Sequence, residues 1–267
     1  MINYFVCIHN TKLLNMYNHK SIIQPQYLLL GNNDTHEENE STIVCNQLTD
    51  NIENFPYLCS YTGWYAVSKN KLCDQNIVSL LEYDTLLSNN FYISNKEIIN
   101  KQKNNQYIIA YSKTSTNHYV FYKSTPWLEI ALKQTHDIDL ISFVNKYHQT
   151  YPFWPTTTNI TMPRIVLAQF IDWFQPMCKV FRHHPMGAYV HERAFFIYCV
   201  LHNINIIYDT NILEHKQLSS HGIKDIYGSF LEKHQTRDLT PDLLKKYDYE
   251  YETASYLCKQ KLEYNNL

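Results

Sequence analysis

Glu82 and Asp84 stand two residues apart in Ile77-Val-Ser-Leu-Leu-Glu82-Tyr-Asp84-Thr-Leu-Leu-Ser88, where a continuous apolar run stops. Residues 77–81 have the composition of a strand buried on both faces. Ligands of an open α/β sheet bind outside the carboxyl ends of its strands. Two carboxylates there can hold a divalent cation and, through it, a diphosphate. A polar turn after a strand leaves the same Glu-x-Asp tripeptide, so the spacing alone does not choose between the two. A second group lies in His183-His184-Pro-Met-Gly-Ala-Tyr-Val-His191-Glu192-Arg193, a dense ionisable run entering an apolar helix. A carboxylate at 192, near the first turns, is favoured by the helix dipole whether or not it does chemistry. As chemistry, Glu192 with His191 beside it would be a general base that deprotonates a hydroxyl, and Arg193 would neutralise phosphate. The plain alternatives are an ion pair for Arg193 and a solvated turn for His183 and His184. His221, in Ser219-Ser-His-Gly-Ile223, would complete a near-octahedral metal site with Asp84 and diphosphate oxygens, or stand as a loop histidine.

These groups need a scaffold that brings distant segments together. Residues 2–8 read as a first strand ending at His9-Asn10, residues 27–30 as a second, and 43–45 as a short third or the lead into a helix. Tyr57, Tyr61, Trp64, Tyr65 and Ser68 recur at helical spacing, which predicts a helix over 57–69 packed on the sheet. Strands are expected at 107–111 and 119–122, and helices at 124–131 and 138–147, the first with Pro126 near its first turn. Two prolines bracket two aromatics in Tyr151-Pro-Phe-Trp-Pro-Thr-Thr-Thr158, which predicts an irregular loop presenting aromatic surface. A helix of about three turns is expected from Met162, another over 188–202, a last strand over 204–208, and helical patches at 241–247 and 253–262. Strands alternating with helices predict an α/β layered fold with a mostly parallel sheet.

The 267 residues, 45% apolar and 15% aromatic, suffice for one large domain with a core. A formal charge of −2 without a basic stripe argues against a nucleic-acid partner. The seven cysteines are scattered and never Cys-x-x-Cys, which excludes a zinc ribbon and a disulfide framework. No apolar run has signal-peptide or membrane-spanning length, so a cytoplasmic protein is expected. Phosphate-loop, dinucleotide-binding and nucleophile-elbow glycine patterns are absent. Abundant Asn, Ile, Lys and Tyr with five glycines have the skew of an AT-rich genome.

Tyr57-Leu-Cys-Ser-Tyr-Thr-Gly-Trp-Tyr-Ala-Val-Ser-Lys-Asn70 resembles the early aromatic helix of small bacterial and viral polysaccharide glycosyltransferases. Pro185-Met-Gly-Ala-Tyr-Val-His-Glu-Arg-Ala-Phe-Phe-Ile-Tyr198 resembles their late helix, in which a Glu-Arg pair precedes an apolar run. With the strand–acid-x-acid step, residues 2–208 look like a GT-A type nucleotide-sugar glycosyltransferase. The family's acidic residue in the early helix is Ser60 here, and its Asp-x-Asp is Glu-x-Asp. The resemblance implies a single GT-A-like, Rossmann-like domain over 1–228 with a helical extension over 229–267. It implies a UDP- or GDP-sugar over His9, Asn10, Glu82, Tyr83 and Asp84. It also implies Mn²⁺ or Mg²⁺ held by Asp84, Glu82 and His221, catalysis by Glu192, His191 and Arg193, and a glycan or other hydroxyl acceptor. An inactive relative that binds glycans or serves assembly is the rival expectation.

Overall fold

The computed structural model describes residues 1–9, 18–31, 41–55, 58–101, 107–116, 125–147, 149–181 and 187–215. The expected strand at 119–122, the histidines at 183, 184 and 221, Asn10 and the extension over 229–267 lie outside them.

Along β1 (Ile2–Ile8) the side chains alternate: Tyr4, Val6 and Ile8 enter one apolar cluster, Phe5 and Cys7 the other. A strand buried on both faces belongs in the middle of a sheet. It pairs in parallel with β2 (Pro25–Leu29) on one side and β4 (Ile77–Glu82) on the other, and β3 (Thr42–Val44) extends the sheet beyond β2. On the far side of β4 lie β9 (Ile160–Pro163), β6 (Tyr107–Ala110) and β10 (Asn205–Tyr208), giving the order β10-β6-β9-β4-β1-β2-β3. Only β9 runs against the others, being antiparallel to both β4 and β6 while β6 and β10 are parallel. The mostly parallel sheet flanked by helices is therefore as the sequence predicts.

The two faces are covered differently. On one, α2 (Ser60–Lys69), α4 (Thr125–His136), α5 (Leu140–Tyr147), α6 (Arg164–Phe181) and α7 (Gly187–Leu201) contribute to the larger core, and α2, α6 and α7 pack against one another. Gly63 lets α2 sit close to the sheet: a Cβ there would stand 2.8 Å from the Cys7 sulfur. The opposite face carries a smaller core, covered by α1 (His19–Ile22), α3 (Phe91–Lys101) and the antiparallel pair β5 (Thr85–Leu87) and β11 (Leu213–His215).

Two expectations are corrected. Met162 does not open a helix; it lies in β9, and the helix that follows is 18 residues long, running past Pro176 to Phe181. A four-residue strand whose last residue is proline carries too short a pattern to separate from a helix start. The segment 151–158 is not wholly irregular either, because Phe153 and Trp154 form β8, paired with β7 (Thr114–Ser115). Two residues between prolines still make one antiparallel rung, since neither proline has to donate within it.

Candidate active site at the carboxyl end of β4

Alternation along β4 turns Glu82 toward the larger helical layer. Its Oε1 accepts hydrogen bonds from Ser60 Oγ at 3.2 Å and from the Thr158 hydroxyl. Its backbone N–H donates to Asn159 Oδ1 at 2.8 Å, and its carbonyl accepts from Thr85 Oγ1 at 2.8 Å. Ser60 is the first residue of α2, so the carboxylate also lies at the positive end of that helix. Three elements thus fix one side chain: β4 carries it, α2 supplies a hydroxyl, and the segment leading into β9 supplies another.

Cys59, the residue before α2, has φ 45°, a conformation rare for a side chain other than glycine. It keeps solvent contact although protein crowds it, and burial, then Glu82 and Glu192, push its thiol up to about 11. Glu82 and Glu192, 110 positions apart in sequence, thus both act on this thiol.

Glu192 Oε2 accepts from Arg193 Nη1 at 3.0 Å and stays 17% exposed. The Arg193 side chain is 0% exposed. Its guanidinium lies 4.5 Å over the Trp154 ring and 5.6 Å from that of Tyr189, and Nη1 also donates to the Tyr189 carbonyl at 2.8 Å. Burial pulls its pKa down while Glu192 opposes the shift. Arg193 holds Glu192 and Trp154 in place from within and presents no surface to a phosphate. His191 is also buried, with its ring 4.7 Å from Trp64, 5.0 Å from Tyr61, 5.7 Å from Phe170 and 5.8 Å from Phe174. Among the described residues neither of its nitrogens meets a hydrogen-bonding partner. Burial lowers its pKa to about 3 against the pull of Glu82, so it is neutral at ordinary pH.

Asp84 turns elsewhere. It is 1% exposed and sits beside His19, whose Nε2 lies 3.1 Å from Thr85 Oγ1. Burial lowers the His19 pKa to about 4, with Thr85 and Asp84 opposing. Tyr83 between the two acids is buried, and the exposed His9 meets its ring edge-on at 4.7 Å. The structure thus brings together Glu82, His191, Glu192 and Arg193, and groups His9 with Tyr83 and Asp84 with His19. Among the described residues no three His, Cys, Asp or Glu side chains gather into a metal-sized cluster. The two carboxylates have the oxygen chemistry of a hard cation, which commonly takes one or two carboxylates and the rest of its shell from phosphate and water.

Sequence reasoning missed Thr158, Asn159, Cys59 and His19. Thr158 and Asn159 had a signal: they end a polar run directly before the apolar Ile160-Thr-Met, as Glu82 opens one after Leu81.

The chain is a Rossmann-type, GT-A-like α/β domain with its polar groups at the carboxyl ends of parallel strands. A solved structure of the same fold is that of the bifunctional glycosyltransferase WbbM in its apo form, at TM-score 0.55 and 11% identity. The match covers 81% of this chain and 45% of that one, so the chain spans about half the length of its structural relative. No protein-family model and no curated protein matches the sequence.

Proposed function

We propose that the protein transfers a sugar from a UDP- or GDP-sugar to a hydroxyl of a glycan or similar acceptor. The observation that carries this reading is that one short segment, 154–158, meets Glu82 through Thr158 and the Arg193–Glu192 pair through Trp154 at the strand ends, in a fold also found in a glycosyltransferase. The nucleotide would lie across His9, Asn10, Glu82 and Tyr83, with Glu82 held in position by the Ser60 and Thr158 hydroxyls. Glu192, partly exposed and oriented by buried Arg193, would take the proton of the attacking hydroxyl. His191 would act from beneath, as neutral packing that sets the helix bearing Glu192. A Mn²⁺ or Mg²⁺ ion at Glu82, with His221 as a further candidate ligand, would supply Lewis-acid stabilisation of the leaving diphosphate, while Asp84, expected from the sequence to share it, is buried beside His19 and faces away from Glu82.

Thermal-shift measurements with UDP and GDP, with and without Mn²⁺, test this directly, because a ligand of the native state alone raises the melting temperature. One nucleotide should stabilise the protein, more so with Mn²⁺. The matching nucleotide-sugar should then be hydrolysed or transferred, and Glu82→Gln and Glu192→Gln should each lower turnover on the order of a hundredfold or more. Full turnover by Glu82→Gln removes the metal assignment. A second reading is an inactive glycan-binding or assembly protein. It requires no response to either nucleotide.

A further inference from the structure

Phe153 is one of few large apolar side chains left open, at 41% exposure, while its neighbour Trp154 is fully buried against Arg193. An exposed phenylalanine on a mobile loop would mean little, but this one is fixed. It pairs with Ser115 across the β7–β8 rung, and its carbonyl accepts a 2.8 Å hydrogen bond from the Tyr208 hydroxyl. The Tyr208 ring meets it edge-on at 6.5 Å, and Lys113 Nζ stands 4.9 Å from its centroid. The preceding Pro152 carbonyl accepts from Thr116 N–H at 2.9 Å, and Thr156 N–H donates to Ser112 Oγ at 3.2 Å on the other side. Lys113 Nζ sits over one face of the ring, and half-buried Thr114 and Ser115 are its neighbours on β7.

The position connects this ring to the candidate site. Phe153 lies five residues before Thr158, whose hydroxyl bonds Glu82, so the two are at most about 17 Å apart along the chain. Tyr208 ends β10, three strands from β4, which at the usual strand spacing is roughly 14 Å across the same sheet edge. Both figures exceed the span of one sugar ring and suit a short oligosaccharide. A rigid aromatic ring with hydroxyl and ammonium donors beside it matches a pyranose, with one apolar C–H face and hydroxyls around its rim.

We propose that Phe153, with Lys113, Thr114 and Ser115, forms a carbohydrate-binding platform for an acceptor residue remote from the reacting hydroxyl. As an acceptor platform it rests on the transferase reading above; as a glycan-binding surface it does not.

The test is binding of maltotetraose, cellotetraose, chitotetraose and mannotetraose to the full chain, read by saturation-transfer NMR and titration, alongside the UDP and GDP thermal-shift panel. At least one tetrasaccharide should bind. Phe153→Ala should weaken it about five- to tenfold and Phe153→Trp restore it, with melting temperature and nucleotide response unchanged. Binding of none of the four, or binding that Phe153→Ala leaves unmoved, overturns the platform. Phe153-dependent binding without any nucleotide response keeps the platform and removes the transferase reading.

Discussion

Glu82 and Asp84 leave the same strand two residues apart and enter different surroundings. Glu82 points into the helical layer, where hydroxyls from α2 and from the approach to β9 hold one of its oxygens and Glu192 acts with it on the Cys59 thiol. Asp84 is closed in beside α1 and β5, next to His19. A pair that reads as one acid-x-acid unit in sequence is two environments in space: one open to a partner residue on α7, the other buried. The difference teaches that the neighbours each carboxylate meets, more than the interval between them, set its chemistry.

The largest effect should come from stranding the buried cation behind the Glu82 side. Glu192→Ala leaves the guanidinium of Arg193 in the core without its carboxylate, and breaking such a pair costs about 3–5 kcal/mol, readable as a lowered urea midpoint. Glu192→Gln, which keeps an acceptor oxygen, should cost clearly less, so that activity and stability separate between the two variants.

Acid should weaken both sides at once. His191 and His19 titrate near 6.5 when unfolded but at about 3 and about 4 when folded. The unfolded chain thus binds more protons between these values, and stability rises with pH there. It is complete above about pH 6.5 and is lost as pH falls toward 4 and then 3, by roughly a few kcal/mol in all. His191→Phe should remove the slope between about pH 3 and 4 and halve it from about 4 to 6.5, whereas His19→Asn should halve the upper part alone, followed by urea unfolding at stepped pH. A variant profile identical to wild type would remove that histidine from the account.

A smaller effect sharpens the contrast on the side of Glu82. Ser60→Ala and Thr158→Val should each cost about 1 kcal/mol of stability. In the proposed reaction they should also weaken nucleotide binding, whereas His19→Asn, on the Asp84 side, should leave that binding nearly unchanged. Equal losses from all three would dissolve the distinction between the two carboxylates.

Much of the architecture was legible because the relevant signals are local. Ile2–Ile8, Tyr107–Ala110 and Asn205–Tyr208 are short, mostly apolar runs, and each forms a strand of the sheet. The aromatic spacing before Lys69 gave α2, and the apolar stretch after Glu192 gave α7. Other elements had no such local mark. β9 is four residues ending in proline, and β5 and β11 are three-residue strands that exist through each other. Nor did the expectation of a phosphate-binding Arg193 follow the chain into the fold, because nothing near it in sequence announces that Trp154 will cover it.

By itself the sequence determined the α/β alternation, the strand that runs into the acids and the helix that carries Glu-Arg, because periodicity and composition act over neighbouring residues. Only the tertiary structure decided that Glu82 meets Ser60 and Thr158, while Asp84 meets His19 and Arg193 is buried beneath an indole. Those outcomes depend on which distant segments the sheet order places side by side, and no local stretch of chain encodes that order.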